Sequence, residues 1–354
     1  MVLTPSNTTN PLMSLDSIRR TPVSAVRVAY RGRFHRMLLK HESRNATGSV
    51  KDRTALGLLR ALDARRSLRP GSVVVESTSG NLGIALAQLL GRLGCHLIAV
   101  VDPKTPDATL RRLNAAGARL HMVNEPDGHG GYLLNRLAAV AELCRKNPAY
   151  RWTNQYENPA NPMVHQQTTG PEIVAQGGPD LDAVYAAVST GGTLAGIAAH
   201  MRLLRLPIRL VAVDAATSVA TSHNIGRDQS AAVEPGSRLV PGIGASRPSS
   251  FLKPSSYDRS MRVADTTTIA MCRIFRSDTG IGLGGSSGAV VSACVRELGE
   301  ISPPRLSLCL AADSDDAYLS TIYEDGWLTR IGALDGVRSA VDQFRLDGVS
   351  FSLE

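Results

Sequence analysis

From residue 71 onward this chain alternates short β-branched runs with amphipathic runs, and that alternation admits few folds. GSVVVES (71–77), HLIAVVD (96–102), RLHMVN (119–124), YRWTNQ (150–155), LDAVYAAVS (181–189), IRLVAVD (208–214) and RLSLCLAAD (305–313) read as strands. Between them, 82–93, 106–117, 131–146, 161–176 and 192–205 read as helices. Strand–helix–strand repetition forces right-handed crossovers and parallel pairing, with helices on both faces of a sheet. At 354 residues, two sheets of modest width are expected rather than one giant sheet. The fold class is therefore α/β: two domains, each with a mainly parallel twisted sheet flanked by helices.

Composition narrows the function classes. The formal net charge is +8, yet the arginines scatter through helical patterns (Arg60, Arg65, Arg66, Arg111, Arg112, Arg202, Arg205) without a basic-aromatic run. Nucleic acid is not expected as a partner, whereas attraction of anionic substrates is a mild expectation. Five cysteines, Cys95, Cys144, Cys272, Cys294 and Cys309, sit singly in apolar segments. Their odd number and wide spacing argue against a disulfide framework or a metal site, and they read as buried small hydrophobes. The first twenty residues lack the pattern of a signal peptide. The most apolar window, 82–101, carries Arg92 and His96 and breaks at Gly94, so no membrane span is expected and the location reads as cytoplasmic. Residues 1–12 read as flexible, 216–257 as a long excursion between elements, and 331–354 as a loosely constrained C-terminal extension in which 336–344 has helical character.

Five segments carry chemistry. KHESRNATGSVKDR (40–53) places Lys51 at the head of a helix, with Thr47, Gly48 and Ser49 as the expected cap. A lysine in a crowded, water-poor position sheds its proton and becomes a nucleophile, although many such lysines are solvated helix starts. The others are ESTSGNLG (76–83), QYENPANPMVHQQTTGPE (155–172), STGGT (189–193) and GGSSGA (284–289). STGGT follows a strand and opens a helix, where backbone N–H groups and hydroxyls can cradle a phosphate.

In this order and spacing the five segments resemble the fold-type-II pyridoxal-phosphate enzymes, in particular the cysteine synthase/cystathionine β-synthase family, over roughly residues 10–325. The resemblance implies a tryptophan synthase β-like fold, pyridoxal 5′-phosphate as cofactor, amino-acid substrates and a homodimer. It implies discontinuous domains: a smaller one at 47–160 with a mobile subdomain at about 97–141, and a cofactor domain from 13–46 and 161–330. Lys51 would carry the cofactor as a Schiff base and then act as base at Cα. Ser189, Thr190, Gly191, Gly192 and Thr193 would hold the cofactor phosphate, Asn81 its 3′ oxygen, and Ser286 its ring nitrogen. A neutral hydroxyl at that nitrogen suits β-elimination over transamination. Thr78, Ser79, Asn81 and Gln155 would grip the substrate α-carboxylate, and Asp52 and Arg53 are expected in structural ion pairs.

Departures from the family pattern are informative. Leu82 stands where threonine is usual, Tyr156 where phenylalanine is usual, and Ser189 where glycine opens the cup. Two hydroxyls are thereby added near the substrate, and Arg136 would face the site on closure. These additions suit an anionic leaving group such as phosphate. With VVDPKT (100–105) and PGIGASR (241–247), they resemble the diaminopropionate-pathway branch, whose members join O-phospho-L-serine to L-glutamate on the way to siderophores and peptide antibiotics. Arg247 is a candidate for the acceptor's carboxylates. The alternative is a cysteine synthase acting on O-acetylserine or O-phosphoserine with sulfide. A non-catalytic binding protein on this scaffold is disfavoured by the intact Lys51, Asn81, Thr190 and Ser286. A dinucleotide-binding dehydrogenase is disfavoured because no GxGxxG opens the first βαβ unit.

Overall fold

Two sheets organise the chain in a computed structural model that describes residues 18–65, 67–127, 131–221, 238–300 and 302–354. Strands β1 (Val23–Tyr30) and β2 (Arg33–His41) precede α1 (Lys51–Ala64), β3 (Val73–Ser77), α2 (Asn81–Arg92), β4 (His96–Val101) and α3 (Asp107–Ala115). Next come β5 (Arg119–Met122), α4 (Leu133–Lys146), β6 (Arg151–Trp152), α5 (Ala160–Gln167), α6 (Thr169–Gly177), β7 (Ala183–Ala187) and α7 (Gly192–Leu203). The chain finishes with β8 (Arg209–Ala215), β9 (Arg259–Val263), α8 (Asp265–Thr279), α9 (Gly285–Leu298), β10 (Leu306–Ala311), α10 (Asp325–Arg330), α11 (Leu334–Leu346) and β11 (Ser350–Leu353).

One sheet has seven strands in the order β11-β1-β2-β10-β7-β8-β9, the other four in the order β5-β4-β3-β6. The small sheet is parallel throughout. In the large one, β1 pairs antiparallel with β2 and β11, and the other pairings are parallel. The chain therefore enters the large sheet, leaves to build the small one, and returns through α5.

Period-2 alternation splits each central strand between two cores. Met37 and Leu39 of β2, Tyr185 of β7 and Val211 and Val213 of β8 pack with Phe275 of α8, Val291 of α9 and Val337 of α11. Their neighbours Leu38, Val184, Leu210 and Ala212 pack on the opposite face with Ile173, Leu194, Ile197 and Met201. In the small sheet, Val74 and Leu97 meet Leu56, Leu59, Leu86 and Leu90 of α1 and α2, while Val75 and Val100 meet Val140 of α4.

Several features differ from expectation. Sequence reading passed over the β1–β2 hairpin, whose two-residue turn puts both Arg31 (φ 47°) and Gly32 (φ 73°) in left-handed conformations. Arginine is a poor marker of such a turn. Residues 331–354, expected to be loose, instead supply α11 against α8 and β11 along the edge of β1. The helix expected over 161–176 breaks at Thr168 (φ −125°, ψ −68°). A continuous helix would drive the Pro171 ring into the Gln167 carbonyl, and the break puts Pro171 in a first turn. Cys144 is half-buried, whereas the other four cysteines are buried as expected.

The flexible segment expected at 1–12 and residues 222–237 of the long excursion lie outside the described residues; 216–221 and 238–257 carry neither helix nor strand. Among the described residues no helix is long and apolar enough to cross a membrane, and no cluster of His, Cys, Asp or Glu is arranged to hold a metal ion.

Candidate active site

A cavity of about 720 Å³ lies where the carboxyl ends of strands from both sheets converge, the place where open α/β sheets bind ligands. Its walls come from the segments at the ends of β3 (77–82), β4 (102–109), β6 (155–156) and β7 (189–191 and 193), from 238–246, and from the end of β10.

Lys51 lines this cavity at the first residue of α1. The cap differs from expectation: Val50 occupies the N-cap position without a side-chain bond, while Ser49 Oγ accepts the Lys51 N–H at 3.2 Å. Thr47 instead donates twice to Asp52, which therefore forms a hydrogen-bonded pair rather than an ion pair. Val50 N–H donates to the Ala312 carbonyl at 2.8 Å, tying the head of α1 to the end of β10. Two residues on, the wholly buried Arg53 donates to both oxygens of Glu42 and both of Glu172. Lys40 adds a 2.7 Å pair to Glu172, and the result is a neutral buried square that anchors α1 to β2 and α6.

Burial pushes the Lys51 amine down to about 8, against the pull of the Asp313 carboxylate. Asp313, at the end of β10, is itself raised by burial although it accepts from Tyr318 Oη (2.6 Å) and Asn81 Nδ2 (2.8 Å). Its Oδ1 has no hydrogen-bond partner among the described residues.

Thr78, Ser79 and Asn81 line the turn between β3 and α2. Thr78 Oγ1 already accepts the Gly83 N–H (2.9 Å), and Gln155 Nε2 donates to the Ser77 carbonyl (2.8 Å), so both are held rigidly. Beneath them Glu76 accepts from Ser77 N, Thr153 Oγ1 and Gln155 N, and burial raises its carboxyl to about 7.

Ser189, Thr190, Gly191 and Thr193 line the cavity at the N-terminus of α7. Gly191 is left-handed (φ 82°), and a Cβ there would lie 2.2 Å from Ser249 Oγ, so only glycine fits. Gly192, expected in the same role, does not line the cavity: it packs against Asn161, and its N–H turns to Thr190 Oγ1. Ser286, in the first turn of α9, also lines the wall, and its hydroxyl makes no hydrogen bond among the described residues.

Tyr156 and Arg136 also line the cavity. Arg136 is buried, with Nε 3.3 Å from Asp102 Oδ2, yet Nε and Nη1 lack a properly directed partner among the described residues. It is therefore not a solvated helix arginine. Arg247 pairs with Glu157 at 3.2 Å and covers the Tyr156 ring.

Sequence reasoning missed Asp313, Tyr318, Asp102 and Arg238, all on the cavity wall. Asp313 and Asp102 had a signal, since polar residues just past a buried parallel strand lie at the ligand-binding end of a sheet; Tyr318, seven residues beyond β10, did not. Arg238 had none, standing in irregular chain.

The residues present fit the cofactor that the resemblance implies. A buried amine of lowered pKa, neutral phosphate donors at a helix N-terminus and the Ser286 hydroxyl share one cavity.

A family model described as pyridoxal-phosphate dependent enzyme matches residues 15–313. The N-(2-amino-2-carboxyethyl)-L-glutamate synthase of Ralstonia nicotianae is 38% identical over 319 residues, 90% of this chain and 91% of that protein. The protein of the same name from Cupriavidus metallidurans is 37% identical over 323 residues, covering 90% and 92%. Among solved structures, O-ureido-L-serine synthase superposes with a TM-score of 0.77 at 29% identity, covering 89% of this chain and 98% of that one. A hydrogen sulfide-producing enzyme gives the same TM-score at 26% identity, covering 86% and 89%.

Proposed function

This chain belongs to the pyridoxal-phosphate-dependent enzyme family, and from that premise we propose that it joins O-phospho-L-serine to L-glutamate with release of phosphate. It is a fold-type-II enzyme of the β-replacement kind, and its cofactor is pyridoxal 5′-phosphate. When bound, that cofactor withdraws electrons from an amino acid's Cα, which lets the neighbouring carbon lose its substituent.

In this reading, Thr78, Ser79 and Gln155 hold the donor's α-carboxylate. Asn81 and Ser286 meet the polar edge of the cofactor ring, and Ser189, Thr190, Gly191 and Thr193 take its phosphate. Lys51, with an amine near 8, has a substantial neutral fraction at mildly alkaline pH and moves the Cα proton. The Cβ–O bond to phosphate breaks, the glutamate amine forms the Cβ–N bond and gives up a proton, and Lys51 returns a proton to Cα. Residues 97–141 close over the site and exclude water. The same reading carries a homodimer, a cytoplasmic location and supply of 2,3-diaminopropionate to a siderophore or peptide antibiotic.

The observation that carries the phosphorylated donor is Arg136. Among the described residues Nε and Nη1 of this buried guanidinium make no directed hydrogen bond and Asp102 is its carboxylate neighbour, which leaves donors on the cavity wall for a further anion, and Tyr156 adds a hydroxyl. The test supplies O-phospho-L-serine or O-acetyl-L-serine with L-glutamate or sulfide and identifies products by mass. Phosphoserine and glutamate together should give the largest turnover. Preferred use of O-acetylserine with sulfide would replace this reading with a cysteine synthase.

A further inference from the structure

Three arginines, Arg136, Arg247 and Arg238, lie close enough to the Tyr156 phenol to oppose the rise that burial gives its pKa. Arg136 faces Asp102 and Arg247 faces Glu157. Arg238 has only neutral partners among the described residues: Nη1 donates to the Thr217 carbonyl (3.4 Å) and Nη2 to Ser246 Oγ (3.0 Å). A guanidinium carries five N–H donors, so these two bonds leave three for the cavity that Arg238 lines.

The position of Arg238 is built into the fold. Gly244 (φ 80°) lies under its stem, and a Cβ there would stand 2.8 Å from Arg238 Cδ. Gly131 approaches Ser246, where a Cβ would stand 2.9 Å from Ser246 Oγ. Two glycines thus let Arg238 and Ser246 sit between the segment after β8 and the segment before α4.

We propose that Arg238, splinted by Ser246, is the subsite for a carboxylate of the acceptor amino acid and sets the preference for a carboxylate-bearing amine over a small nucleophile. The assignment rests on the β-replacement reading and deepens it. The donor's phosphate has Arg136, and the donor's carboxylate has the Thr78–Ser79 turn. The acceptor brings two further negative charges, and Arg238 is the cavity-lining arginine beside Tyr156 that no carboxylate of the chain neutralises among the described residues.

The test compares wild type, Arg238→Gln and Arg238→Lys as holoenzymes with saturating O-phospho-L-serine, varying either L-glutamate or sulfide. In Arg238→Gln, KM for glutamate should rise at least about tenfold, with sulfide-dependent phosphate release within about twofold of wild type. Arg238→Lys, which keeps the charge, should recover part of the loss. Equal loss with both nucleophiles, or unchanged glutamate kinetics, overturns the subsite and leaves the β-replacement reading standing. A wild-type enzyme that consumes sulfide but never glutamate overturns the subsite together with the glutamate-acceptor reading and leaves β-replacement with sulfide.

Discussion

Arg136 offers the sharpest perturbation, because its cost to stability and its use to function have opposite signs. Among the described residues its Nε and Nη1 lack directed partners, and its carboxylate neighbour is Asp102 at 3.3 Å. An unsatisfied buried donor costs about 1–3 kcal/mol, and exchanging a buried ion pair for well-packed apolar groups is often neutral or stabilising by about 1–4 kcal/mol. Arg136→Met alone strands Asp102, which retains only the Lys104 N–H at 2.8 Å and its loop contacts, so the informative variant adds Asp102→Asn. Without anions, urea denaturation should show this double variant to be at least as stable as wild type. A charge-assisted hydrogen bond to the donor's phosphate is worth about 1.5–3 kcal/mol, so kcat/KM for O-phospho-L-serine should fall about ten- to a hundredfold. Turnover of O-acetyl-L-serine should change little, and added phosphate should no longer raise Tm. A variant that is less stable than wild type and equally impaired towards both donors would show Arg136 to be structural, and the reasoning would be refuted.

Borohydride reduction of the holoenzyme should attach the cofactor to Lys51, and Lys51→Ala should lose turnover; a label on another lysine would refute the assignment. The folded amine near 8 lies below the roughly 10.4 of an unfolded lysine, so the native apoprotein binds fewer protons and its stability should rise with pH across that window. Lys51→Met should flatten that slope. In the proposed site Ser286→Asp would bring a carboxylate to the cofactor's ring nitrogen; phosphate release should then slow and transamination appear, whereas an unchanged product partition would make Ser286 a structural residue of α9. Arg53→Met takes the close counter-charge from buried Glu42 and leaves Glu172 with Lys40 alone, and should cost about 3–5 kcal/mol by urea denaturation, with a smaller loss in a Glu42→Gln background.

Much of the small sheet and of the parallel centre of the large one was legible in the sequence, because buried parallel strands and their crossover helices have strong, short-range hydrophobic patterns. Local chemistry was equally readable where backbone demands glycine or a helix start, as at STGGT and GSVK. The β1–β2 hairpin and the final strand were not, since the hairpin turns on an arginine that does not mark a turn and β11 pairs with β1 across more than three hundred residues. Tertiary structure alone decided the electrostatics. Whether Arg136 is solvated or buried, whether Lys51 loses its proton near 8 or above 10, and whether Asp313 or Arg238 faces the cavity all depend on neighbours distant in sequence. A residue's type determines what charge it can bear, but desolvation and the placement of counter-charges determine what that charge costs, and those arise only when both sheets turn their carboxyl ends to one cavity.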